Sequence, residues 1–87
     1  MKLLDRVRNT ADARDAGVAA MTVITAVQDL PLEAQVHGMV ACFALLCDGL
    51  DVRPSQLLEI TNNLMDKADG YRPEFRGVAS YFANDLL

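Results

Sequence analysis

The sequence has little of what most catalytic or cofactor sites are built from. It contains no tryptophan, five aromatic residues in all and one histidine among its 87 residues. Its apolar stretch VHGMVACFALLC, residues 36–47, is shorter than the roughly 20 apolar residues that cross a bilayer. No segment has the alternating period of a strand, and the sequence holds no phosphate-binding loop, repeat or low-complexity tract. We therefore expect no membrane span, no cofactor and no small-molecule substrate.

Cysteine is also scarce, with Cys42 and Cys47 as the two examples. In one helix, five residues separate them by about 7.5 Å of rise and about 140° of rotation, which excludes a disulfide between them. We expect two buried free thiols, as in a reducing compartment. Near the N-terminus, Asp5, Arg6 and Arg8 interrupt the apolar region that a signal peptide needs. The sequence therefore predicts a soluble cytoplasmic protein.

The charge is acidic overall but unevenly spread. The formal net charge is −4; residues 1–14 hold four basic residues against two acids, whereas residues 29–69 hold seven acids against two basic residues. This balance disfavours general nucleic-acid binding. The alternative is a regulatory factor that binds nucleic acid through a basic N-terminal face, with Arg6, Arg8, Arg14 and Arg53. An acidic middle that mimics DNA is a further possibility that the sequence leaves open.

Proline and glycine divide the chain into helices. Pro31, Pro54 and Pro73 precede apolar-periodic segments, as proline does in a first helical turn, and Gly49 and Gly70 follow such segments, as glycine does at a helix end. Residues 3–8 form either a short separate helix or flexible arm, with Asn9 or Thr10 capping the next helix, or a continuous extension of it. The other predicted helices span residues 11–29, 31–48, 54–68 and 73–86. We expect one all-α domain over residues 1–87, an antiparallel bundle of four to five short helices.

Each predicted helix has an apolar stripe. In the second helix Gly17 marks either a bend or a close crossing, since glycine costs about 1 kcal/mol relative to alanine in a helix interior. The fourth helix is amphipathic and turns Glu59, Asn62, Asn63 and Asp66 outward. The predicted core stripe of the second helix is Ala16, Ala20, Val23, Val27 and Leu30. That of the fourth helix is Leu57, Leu58, Leu64, Met65 and Ala68. That of the fifth helix is Phe75, Val78, Phe82 and Leu86.

The third helix is apolar on nearly every side. Its expected inward stripe consists of Leu32, Val36, Met39, Phe43, Leu46 and Leu50. Its back is apolar too, and its polar positions are Glu33, Gln35, His37 and Asp48. A helix apolar all round is a buried helix, and an 87-residue chain has few neighbours to cover it. We therefore expect a homodimer whose interface contains Val40, Ala41, Ala44 and Leu45.

Residues with catalytic or metal-binding chemistry do not converge. His37, Cys42 and Cys47 point about 140° apart in turn along one helix. His37 and Asp48 share a face but lie about 16 Å apart along the axis, so they can meet only across a dimer. We expect no catalytic, cofactor or metal site and no enzyme activity. Near the C-terminus, residue types that anchor interfaces predict contact with an unidentified protein partner through Tyr71, Arg72, Arg76 and Tyr81.

Two resemblances concern the C-terminal half. LLCDGLDVRPSQLLEITNN superficially resembles a helix-turn-helix. Arg53 and Lys67 alone would meet phosphates there, too few for the contacts that supply most of the affinity. The stretch DVRPSQLLEITNNLMDKADGYRPEFRGVASYFANDLL resembles small uncharacterised helical proteins encoded in tailed-phage and prophage genomes. The shared features are the turn at Asp51 to Pro54, the Leu-Leu helix closing in Asn62-Asn63 and the PEFRGVASYFANDLL tail. This resemblance implies an accessory, non-enzymatic role through protein contacts in the cytoplasm of a bacterial host.

Overall fold

A computed structural model describes residues 2–9, 12–66 and 72–86 of the chain. All regular structure in these ranges is helical, without a strand, so the predicted all-α class is confirmed. The helices are α1 (Leu3–Asn9), α2 (Ala13–Val27), α3 (Leu32–Leu50), α4 (Pro54–Asp66) and α5 (Pro73–Tyr81), and α5 continues as a π-helical segment, Phe82–Leu86.

Asp12, rather than the expected Asn9 or Thr10, begins α2. Its backbone is extended, at φ −120° and ψ 120°, and its carboxylate accepts hydrogen bonds from the N–H groups of Arg14 at 2.8 Å and Asp15 at 3.4 Å. These bonds satisfy backbone donors that have no partner inside the helix. The extended residue also separates α1 from α2, so the two are not one continuous helix. Thr10 lies outside the described residues.

Asp51, two residues beyond the expected Gly49, ends α3. Asp51 adopts the left-handed conformation, with φ 55° and ψ 49°. Its N–H bonds the Asp48 carbonyl at 3.2 Å, and the Val52 N–H bonds the Cys47 carbonyl at 3.0 Å, the pair of bonds that defines a Schellman motif. Gly49 is an ordinary helical residue with open space around its Cα. The expected glycine at the end of α4, Gly70, lies outside the described residues.

Gly17 marks a close crossing of α2 and α5, which decides between the two alternatives. A Cβ atom on Gly17 would lie 2.9 Å from the Cβ of Glu74, closer than real side chains approach. On the other helix, a Cβ on Gly77 would lie 3.3 Å from the sulfur of Met21. Each helix thus supplies one glycine that lets the other approach. In the expected α2 stripe, Val23 and Leu30 are exposed, and Leu30 lies beyond the end of the helix.

Gln35 fixes the N-terminal half of α3, and its burial corrects the inward stripe expected for this helix. Its side-chain N–H donates to the carbonyls of Leu30 at 2.9 Å and Gln28 at 3.4 Å, and the Tyr81 hydroxyl donates to its side-chain oxygen at 2.5 Å. Gln35 is 1% exposed. The inner face of α3 therefore follows Gln35, Met39, Phe43, Cys47 and Leu50. Three members of the expected stripe are exposed: Leu32, Val36 and Leu46.

The α4 helix packs against α3, and its Leu57 is buried while Leu58 is exposed. The expected outward residues of α4 are all exposed, as predicted: Glu59, Asn62, Asn63 and Asp66. The chain direction turns by 106° between α3 and α4, closer to perpendicular than to the antiparallel neighbours expected from a short connection. Ala68, assigned to the α4 stripe, lies outside the described residues.

The interior of the single chain is small. Among the described residues, the buried apolar side chains are Ile24, Cys47 and Leu57. In the same ranges eleven large hydrophobic residues are exposed, and five of these belong to α3. The chain by itself thus covers one side of α3 and leaves the rest of that helix open.

Candidate protein-interaction surface

The side of α3 that faces away from the rest of the chain forms a continuous exposed surface, which we call the α3 outer face. It consists of His37, Val40, Ala41, Ala44, Leu45 and Asp48, every one of them exposed. The four residues predicted for a dimer interface lie between its two polar ends. The charged and imidazole groups thus border an apolar and small-residue centre.

Val40 and Leu45 dominate the apolar part of this face. They are 61% and 69% exposed, the two highest values among the large hydrophobic side chains of the described residues. Ala41 and Ala44 lie between them, and their small side chains let another backbone approach closely. Single exposed hydrophobic residues are common on soluble proteins, but a contiguous apolar surface on one helix face is typical of an interaction site.

The orientation of this face follows from the anchoring of the opposite one. The hydrogen bonds of Gln35 link α3 to the α2–α3 turn and to α5, and Cys47 is 2% exposed near the other end of the helix. With Gln35 and Cys47 turned inward, Ala41, Leu45 and Asp48 on the opposite side face outward. Val40 is seven residues before Cys47 and lies at the edge of the outer face, where it is exposed. Sequence reasoning missed Gln35, because a polar residue in an apolar helix gives no sign that its amide will find carbonyl and hydroxyl partners.

The chain exposes more surface than its mass requires. Its accessible surface is 6363 Å². A folded monomer of 9.5 kDa has on the order of 5,000 Å², so the excess is roughly 1,300 Å². A standard protein interface removes about 800 Å² from each partner, and obligate homodimers remove more. The excess is therefore large enough to supply one side of a stable interface.

The residues predicted to contact a partner near the C-terminus have separate environments. The side chain of Arg72 forms an ion pair with Glu74, with Nε 3.3 Å from Oε2, and Arg76 is exposed. The hydroxyl of Tyr81 is engaged with Gln35. Tyr71 lies outside the described residues. The pKa of the Glu74 carboxyl is lowered, mainly because the carboxylate accepts a hydrogen bond from its own backbone N–H. Desolvation opposes this shift, and the hydrogen bond and positive charge of Arg72 add to it.

The four arginines of the nucleic-acid alternative also differ in their surroundings. Arg8 lines a groove of about 530 Å³ between α1 and α4, where Gln56, Glu59 and Asn63 also contribute polar groups. Arg6, Arg14 and Arg53 do not line this groove. The positive charge of Arg14 helps to lower the pKa of Glu74 on α5. The groove thus combines one arginine with a carboxylate, which weakens its attraction for phosphate.

Neither cysteine is part of a disulfide; Cys47 is buried, whereas Cys42 is exposed, contrary to the expectation of two buried thiols. The residues that the structure describes contain no group of three or more His, Cys, Asp or Glu side chains able to hold a metal ion.

Across the same described ranges, no single helix is both long and apolar enough to span a membrane. By length and composition alone, α3 and α4 reach that threshold when counted together, despite the 106° turn between them.

Comparisons with known proteins give no relative from which a function could be carried over. No family model matches the chain, and no curated protein or solved structure is significantly similar to it.

Proposed function

We propose that this protein is a small non-enzymatic accessory protein that acts through protein contacts as a homodimer. Its resemblance in the C-terminal half to phage and prophage proteins supports a role in the cytoplasm of a bacterial host. In this proposal the helices of one chain form half of a larger helical bundle, and a second copy completes it. The outer surface of the dimer, including Arg76 near the C-terminus, is then the surface available to other proteins.

The observation that carries the proposal is the exposure of the α3 outer face. Val40 and Leu45, the most exposed large hydrophobic residues described, border this face about 140° apart around the helix, with Ala41 and Ala44 between them. Removing apolar surface from water contributes about 25 cal/mol per Å², so covering such a surface favours association. Small chains with a limited core commonly gain stability from oligomerisation. Here the core within one chain is small and the uncovered surface is large.

The non-enzymatic part of the proposal rests on how polar groups are distributed. His37 and Asp48 lie at opposite ends of the α3 outer face, about 16 Å apart along the helix axis. Cys42 lies about 140° around the helix from His37. A nucleophile and its base need hydrogen-bond reach of each other, and these pairs do not have it within one chain.

The first experiment is the solution mass of the purified protein, measured by light scattering across a concentration series. We expect about 19 kDa, twice the 9.5 kDa chain. The variant Leu45→Glu should shift the mass toward one chain, because it buries a charge in the proposed interface. Leu58→Glu, at an exposed position on α4, is the matched control and should keep the mass of two chains. A wild-type protein that stays monomeric at tens of micromolar would contradict the proposal.

The groove between α1 and α4 supports a second candidate, a nucleic-acid-binding accessory factor. Its polar lining includes Arg8, Gln56 and Asn63, side-chain types that contact phosphates and base edges. The carboxylate of Glu59 in the same lining opposes phosphate binding. This function requires Arg6, Arg14 and Arg53 to contribute to the same binding. It predicts affinity for a short DNA duplex that falls steeply with salt and decreases in Arg8→Ala. Absence of binding at low salt would exclude it.

A further inference from the structure

The α3 outer face is symmetric about its own centre. The midpoint lies between Cys42 and Phe43, and residues at equal distances on either side have matching chemistry. The matched pairs are Ala41 with Ala44, Val40 with Leu45, and His37 with Asp48. Small residues match small residues, branched aliphatic residues match each other, and a ring that donates hydrogen bonds matches a carboxylate that accepts them.

Such symmetry is what an interface between two identical helices requires. In a twofold interface the same patch occurs on both partners, so each residue must suit the residue that the axis places opposite it. When two α3 helices run antiparallel with the axis at the midpoint, each position meets the position equally far on the other side. Ala41 then faces the partner's Ala44 near the centre. Val40 and the partner's Leu45 lie at the same height on opposite edges of the contact.

We propose that the α3 outer face binds a second copy of this chain, antiparallel, with the twofold axis between Cys42 and Phe43. In this arrangement His37 of each chain donates a hydrogen bond to the partner's Asp48, once at each end of the interface. This inference rests on the proposed homodimer and adds its register, that is, which residues of the two α3 helices lie opposite each other. The two residues that lie about 16 Å apart in one chain come together across the axis.

Charge and packing both favour a second, antiparallel copy of the chain on this face. The antiparallel arrangement places the N-terminal half of each α3 beside the C-terminal half of its partner, so the helix dipoles attract. Ala41 and Ala44 at the centre allow interaxial distances near the lower end of the roughly 8–10 Å range for packed helices. Summed over the whole chain, the surplus exposed area is roughly 1,300 Å², more than the about 800 Å² that each partner contributes to a standard interface.

The test exchanges the polar residues at the two ends. In His37→Glu, the new carboxylate would face the partner's Asp48, and in Asp48→Lys, the new ammonium would face the partner's His37. Each single variant should dimerise about tenfold more weakly than wild type, measured by sedimentation equilibrium at low salt. The double variant H37E/D48K should return to within about threefold of wild type, because each introduced carboxylate then faces an introduced ammonium.

Mixing the two single variants gives a second readout that does not depend on the double variant folding. A mixed dimer of H37E and D48K has a carboxylate facing an ammonium at one end and the native imidazole–carboxylate contact at the other. Equal amounts of the two variants should therefore associate more tightly than either alone. If the single variants lose helicity because folding requires the dimer, mixing should restore the far-UV circular dichroism. Asp66→Lys, at an exposed position on α4, is the matched control and should leave dimerisation unchanged.

The possible results distinguish a failure of this helix alignment from a failure of the proposed homodimer. If wild type is dimeric and the charge exchanges neither weaken nor rescue it, the dimer uses another surface and this register is wrong, while the homodimer proposal stands. If wild type is monomeric at all concentrations, the homodimer proposal fails, and the register with it. A monomer that cosediments with phosphatidylglycerol vesicles would overturn both, since the face would then be covered by lipid.

Discussion

At the scale of single residues, the end of α3 is set by backbone conformation at Asp51. A left-handed conformation places the Cβ of an L-residue near the following carbonyl, which costs about 1–2 kcal/mol for most side chains. Aspartate tolerates it better than most residues, and glycine tolerates it without this cost. The structure accepts an aspartate here while a glycine two residues earlier, Gly49, lies in ordinary helix.

This arrangement predicts opposite effects for two substitutions at Asp51. Asp51→Gly should leave the free energy of unfolding unchanged or raise it, and Asp51→Ala should give a protein about 1 kcal/mol less stable than the glycine variant. Urea unfolding at one fixed protein concentration measures both. Gly49→Ala is the control and should stabilise by about 0.5–1 kcal/mol, because an alanine there meets nothing within 4 Å. Loss of stability in Gly49→Ala would mean that Gly49, and not Asp51, ends the helix.

At the scale of helices, α3 is joined to its neighbours by one polar side chain in an otherwise apolar setting. The amide of Gln35 bonds two carbonyls that precede α3 and the hydroxyl of Tyr81 in α5. A buried amide of this kind is stable only while its donors and acceptors are paired. The network therefore holds α3 in one rotational position and turns the α3 outer face away from the chain.

Tyr81→Phe should destabilise the fold by about 1–3 kcal/mol, because it leaves the Gln35 side-chain oxygen buried without a donor. The double variant Gln35→Met with Tyr81→Phe should be more stable than the sum of the single changes predicts, since it removes both polar partners. Urea unfolding of the four proteins gives the coupling energy. Strict additivity of the two changes would contradict the hydrogen bond between these residues.

At the scale of the whole molecule, the chain is extended for its length. The radius of gyration is 13.5 Å and the principal extents are 38 × 30 × 19 Å. A compact domain of 87 residues has a radius of gyration of about 12 Å. In the proposed homodimer, a second chain would add to this thin dimension and small core.

A homodimer that derives its stability from association should melt at a temperature that depends on protein concentration. Raising the concentration about a hundredfold, from roughly 2 to roughly 200 µM, should raise the midpoint by roughly 5–10 °C for two chains that unfold together. Differential scanning calorimetry at several concentrations measures the midpoint. The Leu45→Glu variant, which we expect to be monomeric, serves as the reference and should melt at a temperature independent of concentration. A concentration-independent midpoint for wild type would contradict dimer-dependent folding.

The amino-acid pattern alone was sufficient to predict the helical class and most of the helix boundaries. Pro54 and Pro73 begin α4 and α5 because a proline at the first helical position lacks an N–H that would be unpaired there anyway. The outward polar positions of α4 were also predictable, since its apolar and polar residues segregate onto two faces. That some large apolar residues stay uncovered was also predictable, from the excess of apolar residues over the interior that so short a chain can build.

The rotation of α3, in contrast, depends on tertiary contacts. A helix with apolar residues on every side has no pattern that selects an inner face, so the stripe of Leu32, Val36 and Leu46 was predicted inward and is exposed. What selected the face was Gln35, through hydrogen bonds to Tyr81, 46 residues away. The close crossing at Gly17 likewise depends on Glu74 in a distant helix. Contacts between residues far apart in the chain leave no local periodicity, which is why they required the folded structure.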